Sequence, residues 1–116
     1  MELKEIQEIQ DKFDHEYFEK WWDVESDTGY IHRLEFLTLA LTGELGEFAN
    51  IVKKISRDHM SFKSKPDDER LEHLKEELTD CFIYLMVIAN FLDIDLEKQY
   101  FKKLEFNKKR FEKYKK

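Results

Sequence analysis

The stretch CFIYLMVIANFL, residues 81–92, decides the fold. Read as a helix, it is apolar on every side except at Tyr84 and Asn90. A helix that is hydrophobic all round is normally central. In a chain of 116 residues there is little else to surround it. Self-association is the natural remedy, with a second copy placing its own helices alongside. The run is also far short of the ~20 apolar residues that a membrane-spanning helix needs.

Working outward, the chain has three Gly, one Pro and ten Phe, with 41% hydrophobic and 40% charged residues, a composition suited to long amphipathic helices. Turn signals cluster at Asp23 to Gly29 and at Ser56 to Asp68, with a third break at Asp93-Ile94-Asp95. The expected helices are roughly 3–21, 31–55, 67–92 and 95–113. Leu3, Ile6, Ile9 and Phe13, with Phe18 and Trp21 beyond them, form the stripe of the first, which reads as a cover for something else. Leu34, Leu37, Leu41, Leu45, Phe48, Ile51, Val52 and Ile55 follow the 3.6 period in the second. Asp67, Asp68 and Glu69 follow Pro66 at the start of the third, where negative charge is favourable. The expectation is an all-α, four- to five-helix bundle, one domain over residues 1–116, completed by homo-oligomerisation as a homodimer or homotetramer.

A net charge of -6 supplies no overall attraction to a phosphate backbone or an anionic membrane, so neither nucleic acid nor a membrane is an expected partner. Cys81 has no cysteine to pair with and lies in the apolar run, which fits a packed thiol in a reducing compartment. The N-terminal residues mix charge without a signal-peptide core. A cytoplasmic location is the expectation.

Carboxylates occupy places where apolar residues belong. At ~100° per residue, with Glu44 at zero, Leu37 and Ile55 fall near +20°, Phe48 near +40° and Ile51 near −20°, while Glu47 lies at about −60°. From Glu77, the same arithmetic puts Ile88 near +20°, Cys81 near +40° and Tyr84 near −20°, with Asp80 at about −60°. All four acids should therefore turn inward. For pairs ~6 Å apart at an effective dielectric near 20, each repulsion is roughly 3 kcal/mol, about two pKa units. Four such groups cannot all stay ionised near neutrality without a cation. Two helices packed antiparallel would bring these hard oxygen donors together, a setting for Mg²⁺ or Mn²⁺ rather than zinc. A plainer reading makes them solvated helix-edge acids, which suits one Glu-x-x-Glu better than two such pairs inside apolar stripes. A di-iron bundle needs Glu-x-x-His, and none of His15, His32, His59 or His73 has an acid three residues earlier.

On the last helix, Lys103, Asn107 and Arg110 fall within about 60° of one another, at the border of the stripe formed by Leu96, Tyr100, Leu104 and Phe111. A cationic and amide edge beside an acidic metal cluster is what a polyphosphate needs.

Glu44-Leu45-Gly46-Glu47, then Glu77-Leu78-Thr79-Asp80, the run 81–92, Asp95-Leu96 and the segment from Lys103 to Phe111 together resemble the MazG-like, all-α nucleoside triphosphate pyrophosphohydrolases. The likeness runs from about Leu34 to Phe111. It implies that Glu44, Glu47, Glu77 and Asp80 hold Mg²⁺, with one carboxylate orienting or deprotonating water. Lys103, Asn107 and Arg110 would hold phosphate, and the products would be a nucleoside monophosphate and pyrophosphate. The stretch between Glu47 and Glu77 is longer than the family suggests, with the excess assigned to the polar segment from Ser56 to Asp68. Phe18, Trp21 and Trp22 are candidates for stacking on the base; Trp22 is expected to be the freer tryptophan, and Phe18 or Trp21 to close the core. Lys53, Lys54 and Arg57 would touch phosphate or complement the helix dipole. The rival readings are a non-enzymatic helical interaction module and, within the superfamily, a dUTP- or dCTP-selective enzyme or a phosphoribosyl-ATP pyrophosphohydrolase.

Overall fold

The computed structural model describes residues 1–22 and 24–116. The chain forms α1 (Leu3–Tyr17), α2 (Glu19–Trp22), α3 (Asp27–Phe62), α4 (Asp68–Phe91) and α5 (Leu96–Arg110), followed by a 3-10 turn at Glu112–Tyr114. There is no strand among the described residues, as the composition requires. No described helix is long and apolar enough to cross a membrane.

The expected first helix divides. Phe18 leaves helical geometry at φ −133°, ψ 37°, and α2 turns its tryptophans so that Trp21 meets Phe36 of α3 edge-on at 5.5 Å. Aromatic packing therefore outweighs the continuation of α1. The expected second helix is longer at both ends. Ser26 caps it, its Oγ accepting from the Gly29 N–H at 3.0 Å, which draws Asp27, Thr28 and Gly29 into the first turn. Asp23, where the first turn signal begins, lies outside the described residues.

At the other end, α3 continues through Ser56 to Phe62 and stops only at Lys63, in the left-handed region at φ 56°. Residues 56–62 are mostly polar but contain neither Gly nor Pro, so nothing in them breaks a helix. The excess length between the acidic motifs is thus mostly helical, leaving 63–67 as the connection. Arg70 Nη1 donates to Asp58 Oδ2 at 2.6 Å across the corner, and this guanidinium holds the Asp58 carboxyl below its ordinary range. The Asp67 and Asp95 side chains cap α4 and α5, accepting from Arg70 N at 2.8 Å and Lys98 N at 3.1 Å, so Asp67 precedes the helix it was expected to open. α5 ends three residues sooner than expected, at Arg110.

The core is the antiparallel α3–α4 pair. Leu37, Cys81, Met86, Val87 and Ala89 are its buried apolar side chains. α1 crosses α4, and α5 packs against α1. The face that α1 turns inward is not the stripe through Ile6, Ile9 and Phe13. Ile9 and Phe13 are exposed, whereas Gln7 and Asp14 are buried and Leu3 and Gln10 half-buried, a line at spacings of 4, 3 and 4. A polar inner face is stable here because Gln7 satisfies the turn between α4 and α5. Its Nε2 donates to Ile94 O at 2.6 Å, its Oε1 accepts from Leu96 N at 3.2 Å, and its carbonyl accepts from Asn90 Nδ2 at 3.1 Å.

This arrangement leaves much apolar surface uncovered. Leu71, Leu78, Phe82 and Leu85 are exposed along one side of α4, and Ile31, Leu45 and Val52 at spacings of fourteen and seven along α3. The radius of gyration is 18.3 Å, against about 13 Å for a compact chain of this length. Replacing Gln7 with Leu should lower unfolding free energy by about 1–3 kcal/mol, since two backbone groups of the turn lose their partner. Urea denaturation measures this, and an unchanged midpoint would show that the turn is held by other contacts.

Candidate active site

Glu44 lies in the middle of α3, on the side that carries Leu37, Leu41, Phe48 and Ile51 into the core. Glu77 and Asp80 lie one turn apart on the facing side of α4. Antiparallel packing brings them together: one carboxylate oxygen from each of Glu44, Glu77 and Asp80 falls within 4.8 Å of the others, and all three residues are half-buried. Glu47 differs from the expectation. It is exposed and outside this trio, although Asp80, at the same angular offset on α4, belongs to it.

Glu47 still approaches Glu77, whose carboxyl is pushed up to about 7 by Glu47 first and Glu44 next, with burial adding to both. The Glu77 Oε2 atom is closed to solvent and has no hydrogen-bond partner. A divalent ion would supply that missing partner and relieve the repulsion, and three hard carboxylates suit Mg²⁺ or Mn²⁺. The donor set therefore fits such an ion. Burial and the charges of Glu44, Glu77 and Asp80 push the Cys81 thiol up, which keeps it protonated and unreactive.

Beside the acids is a cavity of about 510 Å³, bordered by Glu44 and Asp80 at one end and by Phe13, Phe18, Trp21, Trp22 and Phe36 elsewhere. All three sequence-predicted aromatics line it. Trp22 stacks on His15 at 5.4 Å and leans on Phe91 at 5.9 Å, while the Arg33 guanidinium lies 3.9 Å above the Trp21 ring. Both indoles are half-buried; Phe18 and Phe36 are more exposed. Gln10 and Asp14 also line the cavity, and burial pushes the Asp14 carboxyl above its ordinary range. Sequence reasoning passed over both. The signal for them was the repeat from Leu3 through Gln7 and Gln10 to Asp14, which competes with the apolar stripe beside it.

The last helix is not brought to the acids within one chain. Lys103 and Arg110 are exposed, with their charged ends over the rings of Phe106 and Phe111 at 4.9 Å each, and Asn107 is half-buried. None of the three lines the cavity. Lys53, Lys54 and Arg57 are exposed near the C-terminal end of α3.

With this geometry in view, comparison with known proteins is decisive. Residues 32–114 match the model of the MazG nucleotide pyrophosphohydrolase domain. The chain belongs to that family. The MazG domain is 34% identical over 88 residues to dCTP pyrophosphatase 1 of Mus musculus, an alignment covering 76% of this chain and 51% of the relative. For dCTP pyrophosphatase 1 of Homo sapiens the identity is 32% over 88 residues, with the same shares of each chain, 76% and 51%. The Gene 37 protein of Mycobacterium phage L5 is 40% identical over 68 residues, 59% of this chain and 57% of that one. The chain spans about half the length of the curated relatives it matches. No solved structure matches significantly.

The Glu77 carboxyl gives a pH-dependent signature. Raised above its ordinary value of 4.5, it favours the folded state when protonated, and that advantage is lost as pH rises through about 7. In chelator, Glu77→Gln should therefore melt increasingly above the wild type as pH goes from about 5 to 8, and Mg²⁺ should narrow the difference. Melting curves at several pH values test this; a gap independent of pH would show that Glu77 does not titrate there.

Proposed function

We propose that this MazG domain is a divalent-metal-dependent hydrolase that cleaves a nucleoside triphosphate between the α and β phosphates, releasing a nucleoside monophosphate and pyrophosphate. The observation that carries the reading is the meeting of Glu44, Glu77 and Asp80 beside an aromatic cavity large enough for a base. Family membership supports the same reaction. An acidic interaction module would not need an aromatic cavity at its acids, and nothing in the chain favours it.

In this reading Glu44, Glu77 and Asp80 hold Mg²⁺, or Mn²⁺ in its place. When bound, the ion offsets the negative charge of the triphosphate and lowers the pKa of water. Glu47, at the rim and close to Glu77, is the carboxylate free to orient the attacking water and take its proton. The aromatic wall holds the base, excludes water from one side of the substrate and sets the α-phosphate toward the acids. No covalent nucleophile is needed, since positioning and charge can supply the catalysis.

Lys103, Asn107 and Arg110 would bind phosphate in an assembly that sets α5 of one copy near the acids of another. The exposed stripes on α3 and α4 supply the driving force for that homo-oligomer. A role in clearing non-standard or excess deoxynucleotides follows from such an activity. The dCTP pyrophosphatase activity named for the mammalian relatives makes dCTP the first substrate to try.

The test is incubation with nucleoside triphosphates, including dCTP, dUTP and phosphoribosyl-ATP, with and without Mg²⁺. Monophosphate and pyrophosphate are expected as products; orthophosphate, or no turnover of any substrate, would refute the proposal. Glu77→Gln should lower kcat by about a hundredfold or more. Sedimentation velocity should find no monomer at micromolar concentration, and Leu85→Glu should produce one with impaired activity. A wild-type monomer with full turnover would remove the role given to the second copy.

A further inference from the structure

Asp14 is only 5% exposed, on the wall of the cavity that the acids border. Its Oδ1 accepts from Gln10 Nε2 at 2.9 Å, which fixes the carboxyl plane, while Oδ2 is closed to solvent and has no hydrogen-bond partner. No lysine or arginine pairs with it among the described residues. A buried carboxyl left half-satisfied lowers stability, so packing alone does not account for it. Trp22 lines the same cavity, and its Nε1–H is likewise closed off and without an acceptor. The wall thus holds an unmet acceptor and an unmet donor among aromatic rings, the chemistry of a nucleobase edge.

We infer that Asp14, positioned by Gln10, is the residue that chooses the base, favouring bases with an exocyclic amino group, cytosine among the pyrimidines, over uracil and thymine. The inference rests on the proposed function in placing the phosphates at the acids, which leaves the base to the aromatic end. An amino group donates to a carboxyl oxygen directly. Uracil and thymine offer one ring N–H flanked by two carbonyls, so bringing that N–H to the carboxylate sets a carbonyl lone pair beside its second oxygen. A site built to accept from an amino group leaves its acceptor unpaired when the base lacks one, and a desolvated acceptor makes that loss large.

The test uses dCMP and dUMP, which bind without being turned over, on the full chain, read by quenching of Trp21 and Trp22 fluorescence. The wild type should bind dCMP about tenfold or more tightly than dUMP. It should lose that advantage for the 2-pyrimidinone analogue of dCMP, which lacks the amino group. In Asp14→Asn, Gln10 keeps its bond to the amide oxygen and an N–H donor replaces the unpartnered Oδ2 acceptor, so the dCMP-to-dUMP preference should fall by about tenfold or reverse. Equal wild-type binding of dCMP and dUMP, an analogue bound as well as dCMP, or a folded Asp14→Asn that keeps the wild-type ratio would each overturn the inference. So would equal weakening of both ligands, which would mark Asp14 as structural. Selective dCMP binding without hydrolysis of any triphosphate would sink the proposed reaction and leave this inference standing; hydrolysis without base preference would do the reverse.

Discussion

The structure depends on the repulsion contained between α3 and α4. The packing that buries Leu37 against α4 also presses Glu44 toward Glu77 and Asp80, with Glu47 close behind. Apolar contacts hold the helices together, and like charges at the same level push them apart. The unpartnered Glu77 oxygen and the raised Glu77 pKa both follow from that conflict. Such an interface is poor for the stability of a metal-free chain and well suited to a divalent ion, because the strain is relieved only when positive charge arrives. In the proposed reaction, catalysis and instability would share one set of atoms.

α1 carries two tasks on one face. Near its start, Gln7 supplies backbone-like hydrogen bonds to the turn between α4 and α5, joining segments far apart in the chain. One and two turns later the same face reaches the cavity with Gln10 and Asp14. The break at Phe18 lets α2 fold its indoles over that cavity. A straight first helix would have carried Trp21 and Trp22 past it. The polar line of α1 is therefore both an attachment and one wall of the site.

The apolar side chains left outside the core point to a further level of organisation. The stripe of Leu78, Phe82 and Leu85 continues the hydrophobic run that is buried on its other sides by α1 and α3. The extended shape has the same origin: one chain of this length offers too few layers to enclose α4 on every side. In the proposed assembly, a second copy would supply both the hydrophobic cover and the cationic edge of α5.

The helical class, the acidic start of α4, and the inward direction of Glu44, Glu77 and Asp80 were legible in the sequence. Each depends on a residue's phase relative to near neighbours on its own helix, which the 3.6-residue period dictates whatever lies opposite. Glu47 shows the limit of that arithmetic, since Asp80 at the same offset on α4 is half-buried while Glu47 is exposed: at the edge of a stripe, what lies opposite decides. The reach of α3 to Phe62 was masked by a polar composition that, lacking Gly and Pro, is as compatible with helix as with loop. Which face of α1 turns inward, how the Trp21 and Trp22 rings are engaged, and where α5 stands relative to the acids were decided only by tertiary structure. Those features depend on partners distant in sequence: an unsatisfied turn seeking Gln7, a cavity receiving aromatics, and a helix that packs on α1 rather than on the acids its own residues were expected to serve.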